Sequence, residues 1–199
     1  NPCDMVTFYK FDDTRDRVLT KVEYHKLLEV SLIQDSAINS QGNNTKDKDR
    51  YRHMTDVIKF AYQTGARQGE ILKLKREHIN FEIKQCTFYD TKNKADRTIP
   101  LADETLVILK KHVFGKYIFD CESGRLRKWF RHACKAAKIT NFRFHDLRAC
   151  FCTNALLNGW SVAEVSAISG HKDWSQLKRY TRIKPADLLQ KINNVVNLK

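Results

Sequence analysis

Two arginines, two histidines, a pair of candidate lysines and a tyrosine stand at spacings that would let them act together. "TGARQGE" carries Arg67 just past a helix break, with Glu70 three residues on to orient the guanidinium. "HDLR" carries His145 and Arg148 three apart, on the same side of a helix start. The turn "TKNKAD" offers Lys92 and Lys94, and "SGHKDWSQLKRYT" supplies His171 and, nine residues later, Tyr180. The set holds no carboxylate pair and no metal-ligand spacing, but it suits attack on a phosphodiester. Planar guanidinium groups bind the charge that builds on non-bridging oxygens, the role that fits Arg67 and Arg148. A histidine moves protons near neutral pH, and a lysine can protonate the departing 5′-oxygen. A phenol is protonated at pH 7, so it needs a cationic pocket and a base before it attacks. Tyr180 is thus a candidate covalent nucleophile. Its 3′-phosphotyrosyl product lies close in energy to the original diester, so the strand can be rejoined with neither ATP nor a metal cofactor.

Charge points to the same kind of substrate. The 199 residues carry 36 Lys/Arg against 23 Asp/Glu, a net charge of +13, which predicts a polyanionic partner, nucleic acid or an acidic membrane surface. From Arg125 to Lys199 there are 15 basic against 4 acidic residues, whereas residues 1–124 carry 21 against 19. The C-terminal part is therefore the expected phosphate-facing half. The six cysteines form no C-x-x-C pair and no Cys/His spacing that encloses zinc, which reads as free thiols in a reducing compartment. No run of 18 apolar residues and no apolar signal segment argues for a membrane span or export.

The elements that must position these groups are mostly helical. Thr20 with Glu23 makes a capping box for a helix to about Asp35, and Met54, Val57, Ile58 and Ala61 share the face of a second, ending at Gly65. A short helix is predicted over 70–75, then a hairpin of strands in "EIKQCTFYD" and "RTIPL" around the lysine turn. Helices follow over 102–112, 125–138, 145–158, 161–169 and 175–182, with a last one after Pro185. Ser161 and Glu164 form a second capping box, and Gly170 sits at a helix C′ position. Trp174 is read as packing. The expected fold class is α+β, mostly α-helical, with a small antiparallel β-sheet.

Order and spacing together resemble the tyrosine recombinase (phage integrase) family. That family has a T-G-x-R-x-x-E box, matched by "TGARQGE", and a hairpin lysine followed by arginine five and proline eight residues on, matched by Lys92, Arg97 and Pro100. Its H-x-L-R box is "HDLR", its G-H lies 23 residues beyond that arginine, and its R-Y ends the series at Tyr180. The departures are Ala149 where relatives often have histidine, and "CFCT" for a more usual "TFAT". The resemblance implies a catalytic domain that cuts and rejoins double-stranded DNA at specific sites, with no cofactor and no metal. It selects Lys92 over Lys94 and makes Arg67, Lys92, His145, Arg148, His171 and Tyr180 the catalytic set, with Glu70 supporting Arg67. It also implies a catalytic domain over residues 20–199, including a tail helix that docks on a neighbour or folds back. Residues 1–19 are then the remnant of a linker from a DNA-clamping domain, and the full-length protein is expected to form a tetrameric synapse in the cytoplasm, on the nucleoid. Two rival readings remain: a non-catalytic helix-turn-helix DNA-binding protein with Gln176, Lys178 and Arg179 on its recognition helix, and a type IB topoisomerase-like enzyme.

Overall fold

The computed structural model describes residues 17–40, 53–89, 96–112 and 115–180. Among them are seven α-helices and a three-stranded antiparallel sheet, the mostly helical α+β class that the sequence leads one to expect. The lysine turn with Lys92 and Lys94, the tail after Tyr180 and residues 1–16 lie outside the described residues.

Helix α1 (Lys21–Ser40) opens with the predicted capping box: Thr20 N donates to Glu23 Oε2 at 2.9 Å, and Glu23 N donates to Thr20 Oγ1 at 3.2 Å. It runs past Asp35, and the reason is tertiary. The Asp35 carboxylate accepts from Met54 N, Thr55 N and Thr55 Oγ1 at 2.8–3.1 Å, so α1 supplies the N-terminal cap of α2 (Met54–Thr64). Helix α2 is buried along Met54, Val57, Ile58, Phe60 and Ala61 and packs against α1 and the later helix over Asp146–Leu157. It stops at Gly65, where φ is +61° and the N–H returns to Ala61 O at 3.0 Å. A Cβ at Gly65 would lie 2.5 Å from Phe151 Cδ1, so both conformation and space demand glycine there.

Helix α3 (Gln68–Leu72) follows directly. Strands β1 (Ile79–Asn80), β2 (Gln85–Phe88) and β3 (Arg97–Pro100) pair in the order β1-β2-β3, with Cys86 opposite Ile99 and Phe88 opposite Arg97. The hairpin is the expected one, but its first strand starts later than predicted. Asn80 Oδ1 accepts from Glu82 N and Ile83 N, holding residues 81–84 in a turn that adds the unforeseen β1. Helices α4 (Asp103–Lys110), α5 (Ser123–Ala136), α6 (Asp146–Leu157) and α7 (Val162–Ser169) complete the domain. Ser161 and Glu164 make the second predicted capping box, and Gly170 ends α7 with φ +73°.

The main core gathers Leu27, Ile58, Phe60, Phe119, Leu126, Phe130 and Leu147. A smaller cluster of Cys152, Ala155, Leu156, Val165 and Leu177 lies between α6, α7 and the segment that follows, and Tyr180 packs half-buried against it. That segment is a 3₁₀-helix over Trp174–Tyr180, not the α-helix expected over 175–182. Three residues per turn put Leu177 and Tyr180 on one edge, facing α6 and α7. Over its described residues this segment is 3₁₀ rather than α-helical, and its Leu177 is fully buried, which does not favour the helix-turn-helix reading. Trp174, read from the sequence as packing, is 59% exposed.

Cys86, Cys134 and Cys150 belong to the main core and Cys152 to the smaller one; all four are free thiols. Burial pushes Cys86 and Cys134 up to about 12 and Cys150 and Cys152 up to about 11. No helix among the described residues is long and apolar enough to cross a membrane.

Candidate active site

Three breaks between elements bring the predicted residues together. The αL turn at Gly65 reverses the chain after α2 and leaves Arg67 extended (φ −71°, ψ 148°) just before α3. Arg67 N donates to Glu70 Oε2 at 2.8 Å, and Arg67 Nη1 donates to Glu70 Oε1 at 2.9 Å. Its other terminal nitrogen, Nη2, donates to Gly170 O at 2.9 Å across 103 residues of chain. Arg148, on α6, is only 3% exposed; its Nη1 donates to Gly65 O at 2.7 Å and its Nη2 lies 3.1 Å from His171 Nε2.

These contacts assign the imidazole. A guanidinium only donates, so His171 Nε2 accepts from Arg148 and Nδ1 carries the proton toward Ser169 Oγ at 2.7 Å. Ser169 passes its own proton to Val165 O on α7. The Tyr180 ring follows, its centroid 6.5 Å from that of His171. His145 is exposed at the start of α6, one turn ahead of Arg148, where Asp146 fixes the turn by accepting from Arg143 N at 2.7 Å. The fold thus joins Arg67, Glu70, Arg148, His171 and Tyr180 and sets His145 on the adjoining turn, while Lys92 falls outside the described residues.

One member had not been counted as a site residue. Arg97, at the start of β3, donates through Nη2 to Glu70 Oε2 at 2.7 Å and through Nη1 to Glu70 Oε1 at 3.2 Å, and it lies over the Phe88 ring at 5.0 Å. Glu70 therefore serves two arginines, where the sequence suggested one. The only signal in the sequence was the place of Arg97 in the hairpin spacing; its partner across the fold left none. Ser169, two residues before His171, was not singled out either.

Charge defines what this pocket can hold. Burial pushes the Glu70 carboxyl up, but hydrogen bonds from Arg97 and Arg67 outweigh it and hold Glu70 below its ordinary value. Burial first, then the positive charge of Arg67, lower the Arg148 guanidinium to about 10, which still leaves it charged at neutral pH. Three guanidiniums against one carboxylate leave two positive charges in a largely buried cluster. A phosphodiester brings one negative charge and its pentacoordinate transition state two, so the match improves as attack proceeds.

Comparison with known proteins supports this reading of the fold. The profile of the phage integrase family matches residues 17–187. A shufflon-specific DNA recombinase of Escherichia coli is 29% identical over 197 residues, covering 97% of this chain and 47% of its own length. The chain thus spans about half of that relative. The catalytic domain of bacteriophage HP1 integrase shares the fold with a TM-score of 0.64 at 22% identity, covering 90% of this chain and 96% of that one. The Tn1549 transposon integrase, solved with transposon right-end DNA, gives 0.70 at 15% identity, covering 94% of this chain and 68% of that one.

Proposed function

The chain belongs to the phage integrase family, and from that footing we propose that it is the catalytic domain of a site-specific DNA recombinase acting through a 3′-phosphotyrosyl intermediate. The observation that carries this is the convergence of Arg67, Arg148 and His171 beside Tyr180. Arg67 and Arg148 grip the non-bridging oxygens of the scissile phosphate; once Arg148 is engaged, His171 Nε2 is released from it, takes up a proton from water and donates it in a hydrogen bond to a phosphorane oxygen. The Tyr180 oxygen forms the new bond to phosphorus and its proton leaves with help from His145. The bond to the 5′-oxygen breaks, and Lys92 protonates that oxygen. Rejoining reverses each step on a partner strand, with no net change in phosphodiester bonds and no ATP or metal.

Glu70 holds the guanidiniums of Arg67 and Arg97 side by side through its two carboxylate oxygens. The substrate is double-stranded DNA of a phage or mobile element, brought together by the full-length protein as a tetrameric synapse on the nucleoid in the cytoplasm. The test is a duplex nicked next to the cleavage point, so that a short 5′-fragment diffuses away and the covalent adduct is trapped. An adduct should form on Tyr180 alone and vanish in Tyr180→Phe, which keeps the ring and its packing while DNA binding persists. A bond found by mass spectrometry on another tyrosine, or an undiminished adduct in Tyr180→Phe, removes Tyr180 from its role.

A further inference from the structure

At the end of α2 remote from Gly65, three side chains that the phosphate chemistry does not use converge. His53 precedes the helix, Asp56 lies in its first turn and His112 follows α4; one ligand atom from each lies within 4.8 Å of the others. His112 Nε2 is 2.8 Å from Asp56 Oδ2, and the rings of His53 and His112 meet edge to face with centroids 4.3 Å apart. We infer that His53, Asp56 and His112 form a binding site for a divalent cation of the zinc class, which clips the start of α2 to the chain leaving α4.

Two imidazoles and one carboxylate suit a borderline cation, whereas magnesium and calcium favour oxygen ligands throughout. Tetrahedral ligands 2.0–2.2 Å from zinc stand about 3.4 Å from one another. The His112–Asp56 contact must therefore open by about half an ångström, the metal replacing the shared proton, and His53 must close in. His112 is already fixed, its side chain 6% exposed and its ring against Phe119 at 5.3 Å; His53 is exposed and moves at little cost.

Two features oppose a cation, and both are met locally. The positive end of α2 is already capped by the Asp35 carboxylate. Lys111 Nζ lies 3.7 Å from Asp56 Oδ1, but that side chain is 57% exposed and can swing into water. A cavity of about 340 Å³ opens beside His53 and Asp56, with Glu29, Asp35 and Lys59 on its wall, and supplies water for the fourth position. The sequence hid the site because His112 stands 56 residues beyond Asp56. An 11-residue helix at 1.5 Å per residue puts about 16 Å between this site and Gly65, so the ion is a structural clip and the strand transfer stays metal-independent.

The test titrates Co²⁺ and then Zn²⁺ into tag-free, EDTA-stripped protein. One Co²⁺ per chain should bind with the strong visible absorption of a four-coordinate ion, be displaced by Zn²⁺ and raise the thermal midpoint. His53→Ala and Asp56→Asn, each checked for fold by circular dichroism, should weaken binding by about tenfold or more. The inference is overturned if the parent shows no saturable binding, if His53→Ala binds within twofold of the parent, or if sulfur-to-cobalt charge-transfer bands place the ion on cysteines.

Discussion

A buried guanidinium fixed by a backbone carbonyl is a different object from a mobile surface arginine. Arg148 is held by Gly65 O, so its geometry exists before any phosphate arrives. Arg148→Ala and Arg67→Ala should each lower the rate of DNA cleavage by on the order of 10³ while leaving most binding intact. Arg148→Lys should fail as well, because a single ammonium cannot hold Gly65 O and two phosphate oxygens in one plane. Single-turnover cleavage beside a gel-shift titration measures both; activity within tenfold of the parent would strip either arginine of its role. Glu70 carries a separate prediction. Its folded-state value lies below the ordinary 4.5, so the stability it contributes is fully present above that value and is lost as pH falls through 4.5 toward the folded value. Melts from pH 6 to pH 3 should show this acid-side loss in the parent and much less of it in Glu70→Gln, which should start less stable at pH 6. The types and spacing of Arg67, Arg148, His171 and Tyr180 were legible in the chain because each sits in a short local box. The shared use of Glu70 by Arg97 was not, since it depends on the Arg97 side chain reaching Glu70 across 27 residues of chain.

Between α6 and the 3₁₀-helix, α7 acts as the bracket that delivers His171. Its N-terminus is closed by Ser161 and Glu164, so Ser161→Ala should cost about 1 kcal/mol. For a chain of this size that is about 2–4 °C in thermal midpoint, readable by calorimetry. Its C-terminus is closed by Gly170, whose φ of +73° suits glycine, and a Cβ there would meet Arg97 Nη1 at 2.1 Å. Gly170→Ala should therefore damage cleavage more than stability, since relief requires Arg97 or the His171 loop to shift. A melt that falls sharply while cleavage stays at parental rate would contradict this. Helix periodicity and capping boxes made most helices legible to within a few residues. The 3₁₀ form of Trp174–Tyr180 was not legible, because its apolar positions Trp174, Leu177 and Tyr180 stand three apart, a spacing that fits one face of an α-helix as well.

Across the whole molecule, a net charge of +13 with its excess after residue 125 should make DNA affinity strongly salt-dependent. A log–log slope steeper than about −4 is expected, since each neutralised phosphate contributes about −0.9. Anisotropy titrations from low to physiological salt supply the slope, and a flat line would remove the polyanion as substrate. Composition pointed to a polyanionic partner and periodicity to the helical class; neither could reveal that Asp35 of α1 caps α2, a contact 19 residues away in sequence. The two cores differ in size, and the chain places a thiol in each: Cys150 faces the large one and Cys152, one turn-half further along α6, faces the small one against which Tyr180 packs. Alkylating reagents consume thiolate in contact with water, so neither cysteine reacts until its own core opens. Residue-resolved alkylation is therefore a clock with two hands: Cys152 times how often the segment bearing Tyr180 lifts away, Cys150 times the opening of the domain, and the first should run faster.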